Sequence, residues 1–256
     1  MLELNYPNLL AKSTLHLLMV EPKSVKPEAF GSGCLVQYQN RVFLLSVAHV
    51  TDLSGLQTCI ETNQPPVNQT SPLYCVGAMS YFDEYTLSKG VKPEHIRSVE
   101  ELLANREGTL DVTFCEIKEN IDLLQPGWDF GGVKIDAGRK VMLNLAEAGK
   151  PSRDKTYNLC GRVRQEIKGR TIESEPVFKL GLKYKGTQGR FHRFVVPKLI
   201  TNVDDYHGCS GAPIFDEDGM LVGLASAVKP GTQLLYAFSI EECRRLLDVA
   251  IEIGMV

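Results

Sequence analysis

Ser210 lies in the run Gly208-Cys209-Ser210-Gly211-Ala212-Pro213, between small residues and just ahead of an apolar pair, Ile214-Phe215. A glycine-rich corner before a buried strand uses the same residue types. A serine hydroxyl is a weak nucleophile near neutral pH and needs a base to take its proton, most often histidine. All five histidines (His16, His49, His95, His192 and His207) precede Ser210. That order excludes the Ser-Asp-His arrangement of an α/β-hydrolase, whose nucleophile turn also expects glycine where Ala212 stands. The order that remains is His, then Asp, then Ser.

His49 is the candidate base, because it closes the apolar run "RVFLLSVAH", where a side chain can leave a rigid strand toward a cleft. His16 falls inside an expected strand, His95 in a polar helix, and His207 too near Ser210 along the chain. Asp111, opening the strand-like "LDVTFCEI", is the candidate orienting acid; Asp83 and Asp122 open no comparable run. Such a carboxylate would fix the imidazole tautomer and stabilise the imidazolium as it forms. Taken singly, a histidine after a strand is ordinarily a packing residue and an aspartate before one a turn residue.

Elements that could position these groups are mostly strands. Short apolar and β-branched runs recur from "HLLMV" through "LLYAFSI", separated by turn signals. Gln39-Asn40 and Asp218-Gly219 sit where tight hairpins would join neighbours. Two segments have helical periodicity: 92–107, with Ile96, Val99, Leu102 and Leu103 on one face, and 239–254, with Ser239 as a possible cap. The Lys- and Arg-rich stretch 179–193 reads as a solvated hairpin, and 60–72 as a projecting loop. Without regular strand–helix alternation, the expectation is an all-β fold with a C-terminal helix. Pro126 and the glycines of "NIDLLQPGWDFGG" mark a crossover, dividing the chain into 1–125 and 126–256.

The formal charge of −3 gives no basic face, so nucleic acid is not an expected partner. No run reaches the ~18 apolar residues of a membrane helix, so no membrane is expected either. Seven cysteines show no metal-ligand spacing, and most sit in apolar runs as small hydrophobes. No metal or other cofactor is expected, and a reducing compartment fits best. With an N-terminal segment unlike a secretory signal, this leads to an expectation of a cytoplasmic protein.

Together, "SVAH", "LDVTF" and "GCSGAP" resemble, in order, the three catalytic motifs of chymotrypsin-like (trypsin-fold) serine peptidases. "GMLVGLASAV" is similar to a further strand of that family, and "GSGCLV" to the strand entering its first barrel. The resemblance implies two six-stranded antiparallel barrels, His49 and Asp111 on the first and Ser210 on the second. It also implies an oxyanion hole from the backbone N–H groups of Gly208 and Ser210. Ser226 would help hold Asp111, and Ala227 and Val228 would meet an extended polypeptide substrate. Cys209 stands where secreted members carry the aspartate that receives a freed N-terminus, and Val50 replaces the usual cysteine after the histidine. Both departures resemble intracellular and HtrA-like bacterial branches, and lead to an expectation of activity without N-terminal cleavage.

Asp204, six residues before Ser210, matches the position that selects a basic P1 side chain in trypsin-like members, although Asp205 or a solvated turn explains the pair equally well. A cysteine nucleophile at 209 would sit one residue out of register. The leading expectation is a serine endopeptidase, with a larger system as a possible source of a partner protein. The alternative is a catalytically silent peptide-binding or scaffold protein on the same fold. An esterase, a third reading, would turn over small esters and cleave no unfolded protein.

Overall fold

A computed structural model describes residues 6–22, 26–62, 73–82, 110–119, 121–130, 132–168 and 171–256. The helix expected over 92–107 with its His95, most of the loop expected over 60–72, and Asp83 lie outside these residues.

The N-terminal half is one curled sheet built from β1 (Leu15–Val20), β2 (Pro27–Tyr38), β3 (Arg41–Ser46), β4 (Gln57–Glu61), β5 (Leu73–Gly77) and β6 (Thr113–Glu116). Its strands run in the order β5-β4-β1-β2-β3-β6. Gln39 and Asn40 both adopt positive φ (49° and 60°), the backbone of a tight turn whose twist matches the paired strands. The sheet supplies the six antiparallel strands expected of the first barrel, and among the described residues they curl into a half-barrel. Its ends meet at one isolated bridge, in which Ser80 and Phe114 exchange N–H···O bonds of 2.9 Å.

Five short strands fill the crossover: β7 (Leu124–Gln125), β8 (Trp128–Phe130), β9 (Val133–Ile135), β10 (Gly138–Arg139) and β11 (Leu143–Asn144). β10 pairs with β7 and β11 runs parallel to β2, so the chain beyond residue 126 first returns to the N-terminal sheet. The C-terminal half is a closed barrel of β12 (Thr156–Lys168), β13 (Thr171–Gln188), β14 (Phe191–Val195), β15 (Pro213–Asp216), β16 (Leu221–Lys229) and β17 (Leu234–Ser239). Gly219, at φ +83°, completes the hairpin between β15 and β16.

Helices bind the halves together. α1 (Tyr6–Ser13), which the sequence reading missed, and α3 (Ile240–Glu252), which it expected, contribute Leu10, Leu246 and Leu247 to a shared core. That core includes Phe43 and Phe114 of the first sheet with Phe215 and Phe238 of the second barrel, all at most 1% exposed. Removing each such side chain from water contributes about 1.5–3 kcal/mol, so burial is a large part of what holds the halves together. Tyr38 Oη and Gln39 Nε2 also donate to Asp248 Oδ1 on α3, at 2.7 and 2.9 Å.

Cys59 and Cys75 are joined in a disulfide, not left as the packed thiols expected. They are directly opposed in the β4–β5 ladder, a relationship that spacing in the chain does not reveal.

Candidate active site

β3 and β6 pair with Ser46 opposite Thr113. The chain leaving β3 does not continue to residue 49 as the expected strand. It turns into a single helical turn, α2 (Ala48–Thr51), pinned to β6 by the 2.7 Å contact of the Thr51 and Thr113 hydroxyls. Three residues beyond one strand and two before the other, His49 and Asp111 therefore meet. His49 Nδ1 lies 2.9 Å from Asp111 Oδ1, and the same oxygen accepts the His49 backbone N–H at 3.1 Å.

The second carboxylate oxygen, Oδ2, accepts the Ser226 hydroxyl. Ser226 sits on β16 where its register against β17 shifts between Ala225 and Ala227. A bulge of this kind re-aims the extra side chain. Burial alone would raise the Asp111 pKa. The hydrogen bond and charge of His49, the Ser226 hydroxyl and the His49 backbone N–H overcome it and hold the carboxyl below its usual range.

Ser210 occupies the tip of the loop between the short helix Val203–Asp205 and β15. Backbone bonds from Cys209 N to Tyr206 O (2.9 Å), Ala212 N to Cys209 O (2.9 Å) and Gly211 N to Ala225 O (2.7 Å) brace that tip. Ser210 Oγ donates to the Ser226 carbonyl at 3.1 Å, and among the described residues it makes no hydrogen bond to His49. Ser226 thus connects all three candidates, Asp111 through its hydroxyl and Ser210 through its carbonyl.

Gly208 and Gly211 are required by this loop. Their φ values are +96° and +87°, and a Cβ would overlap the Arg162 carbonyl at 208 and the Ser32 carbonyl at 211. Among the described residues, the N–H groups of Gly208 and Ser210 donate no hydrogen bond. Cys209 is 2% exposed, and burial pushes its thiol up to about 12, which leaves little thiolate for attack.

Beside Ser210 opens a pocket of about 200 Å³ walled by Val203, Tyr206, Ala225, Ala227, Val228 and Leu235. Ala227 and Val228 belong to this lining, as does His207. Asp204 does not line the pocket. It projects to solvent on the short helix and faces His207 at 3.7 Å, which corrects the expectation of a carboxylate at the pocket base. Lys179 Nζ lies 3.9 Å from the Tyr206 ring centroid, adding positive charge near one wall.

Ser32, in "GSGCLV" on β2, was not singled out in the sequence, although two flanking glycines mark a close approach there. Its N–H donates to the Ser210 carbonyl at 2.8 Å and its hydroxyl to the Gly208 carbonyl at 2.6 Å. Among the described residues, no three His, Cys, Asp or Glu side chains form a metal-ligating cluster, and no helix is long and apolar enough to cross a membrane.

The fold is that of the chymotrypsin-like serine peptidases. Human heparin binding protein is similar to the chain with a TM-score of 0.56 and 12% identity, over 96% of this chain and 93% of that one. The serine endoprotease from Yersinia pestis is similar with a TM-score of 0.53 and 11% identity, over 99% and 69%. No protein-family model and no curated protein sequence matches the chain.

Proposed function

We propose that the protein is a serine endopeptidase. Ser210 Oγ attacks the scissile carbonyl while His49 takes its proton. The tetrahedral intermediate collapses to an ester on Ser210 as the C–N bond breaks, and His49 returns the proton to the leaving amine. Water then repeats the sequence on the ester, releasing the acid and restoring the serine. Asp111 keeps Nδ1 protonated and the ring in place, while the N–H groups of Gly208 and Ser210 bind the developing oxyanion. Losing one such donor costs about 2.7–4 kcal/mol of transition-state stabilisation.

The observation that carries this reading is the network centred on Ser226, because it draws in the three residues named from chain order, strand-like flanks and the motif resemblance. For attack, the Ser210 hydroxyl must turn from the Ser226 carbonyl toward His49; catalytic hydrogen bonds often tighten only with substrate present. The apolar side chains of Val203, Ala225, Val228 and Leu235 in the pocket lining favour an apolar P1 side chain of middle size. The test is covalent labelling by a fluorophosphonate at neutral pH, with Ser210→Ala as control. Labelling of the native chain alone supports the peptidase.

The same serine geometry favours a second reading, a silent peptide-binding protein whose hydroxyl stays on the Ser226 carbonyl. It anticipates no labelling of the native chain. As to compartment, the Cys59–Cys75 bond weighs against the cytoplasm that the cysteine pattern suggested, since such bonds persist in oxidising surroundings.

A further inference from the structure

We propose that Ser32 is a positioning residue that sets the oxyanion hole from the opposite barrel. This rests on the peptidase reading. Ser32 bonds the carbonyl groups of the two residues whose N–H groups donate no hydrogen bond among the described residues. Its hydroxyl donates to Gly208 O at 2.6 Å, and its N–H to Ser210 O at 2.8 Å. Its own carbonyl accepts the Ser46 hydroxyl at 2.7 Å, which anchors it to the strand that leads into His49.

The reason for such a grip lies in Gly208. A residue without a Cβ has a nearly flat torsional landscape, so its peptide groups turn easily unless held. On one side, the Arg162 carbonyl and the Gln165 side chain, whose Nε2 donates to that carbonyl at 2.6 Å, press against the Gly208 α-carbon. On the other, the Ser32 hydroxyl captures the carbonyl and fixes the plane of the peptide that follows. Ser32 is 1% exposed, so no water can replace its hydroxyl without rearrangement.

Both neighbours of Ser32 make the approach feasible. A Cβ on Gly33 would run into the Leu45 carbonyl, and one on Gly31 into the Val50 side chain, next to His49. Gly211, also lacking a Cβ, lets the Ser32 carbonyl lie against the nucleophile loop. A single residue thus spaces the His49 turn and the 208–210 loop relative to each other.

The experiment uses the full chain with two probes, a fluorophosphonate and the p-nitrophenyl ester of an N-acylated leucine. Removing an oxyanion donor outright lowers kcat by about 10²–10³, so misplacing one in Ser32→Ala is expected to lower it by about 10–100-fold, with KM within about twofold. Ser32→Thr, which keeps the hydroxyl, is expected to restore kcat to within about threefold. Ser32→Cys, close in shape but a weak donor, is expected to lower kcat in the same direction, and it serves should the alanine variant not fold. Unchanged kcat in folded Ser32→Ala or Ser32→Cys, a loss confined to KM, or no recovery with threonine overturns the role of Ser32 alone. A native chain inert to both probes overturns the peptidase reading itself, and this inference with it.

Discussion

Asp111 Oδ1 accepts twice from His49, from ring Nδ1 at 2.9 Å and from the backbone N–H at 3.1 Å. One carboxylate oxygen therefore fixes both the imidazole and the turn that carries it. The other oxygen is held by Ser226, so the carboxylate has little freedom to rotate.

Asp111→Asn should preserve the fold and remove the activity. The amide places a donor where Nδ1–H now donates, favouring the wrong tautomer. In a serine–histidine–aspartate site that change lowers turnover by about 10⁴-fold. Fluorophosphonate labelling rates, compared at matched circular dichroism, check this. A loss smaller than tenfold would remove Asp111 from the mechanism.

A peptide library should be cut after middle-sized apolar residues such as Leu or Met. Aspartate at 204 should not matter to that choice, since its side chain is 65% exposed and turned toward His207. Asp204→Asn is expected to leave the ratio of Leu to Lys or Arg cleavage within about twofold, far below the effect of deleting a buried charge partner. Dominant cleavage after Lys or Arg, abolished by this substitution, would show the pocket to be read wrongly.

Gly211→Ala and Gly219→Ala separate conformational strain from collision. Both positions have positive φ, but only at 211 would the added carbon strike backbone, at Ser32. At 219 its nearest neighbour is the end of the Leu9 side chain, 3.0 Å away. Urea unfolding is expected to show a loss of about 1 kcal/mol at 219 and above about 3 kcal/mol at 211. Equal losses would argue against the packing of Ser32 on the nucleophile loop.

Stability should fall as the pH drops below about 6.5. His16 is buried, which lowers its pKa. Glu61, whose Oε2 lies 2.8 Å from Nδ1, opposes that shift, while Arg162 reinforces it. Among the described residues His16 Nε2 has no hydrogen-bond partner, so a second proton there would be buried unpaired. The fold thus keeps His16 neutral where the unfolded chain takes up a proton. Stability from this group is present above the unfolded pKa and is lost as pH falls through the folded one. His16→Asn should flatten the dependence of the urea midpoint between about pH 5 and 6.5, by at most about 1.4 kcal/mol per pH unit. Burial lowers the His192 pKa as well, so part of the slope should remain. An unaltered slope would exclude His16 as its source.

Local signals were the legible ones. Gln39-Asn40 and Asp218-Gly219 announce their hairpins because the turn backbone is written in the two residues that form it. The candidate triad could be named from order, since His49, Asp111 and Ser210 each adjoin a strand-like run. What escaped depends on contacts between distant segments. α1 has eight residues and gains its stability from Leu10 in the shared core. α2, a single turn, is too short to carry a periodic pattern. The Cys59–Cys75 pair follows from strand register, and Asp204 from the direction of a three-residue helix. Ser32 looks like an ordinary strand serine until the other barrel is laid against it.

The shared core and the Ser32 clamp have a consequence for the order of events during synthesis. On the ribosome, imidazole and carboxylate are made long before the hydroxyl they are proposed to serve. The loop bearing that hydroxyl takes shape only after β16 has been added behind it. A half-made chain would therefore be harmless to its surroundings, and peptide-bond cleavage would begin only once both halves have closed on each other.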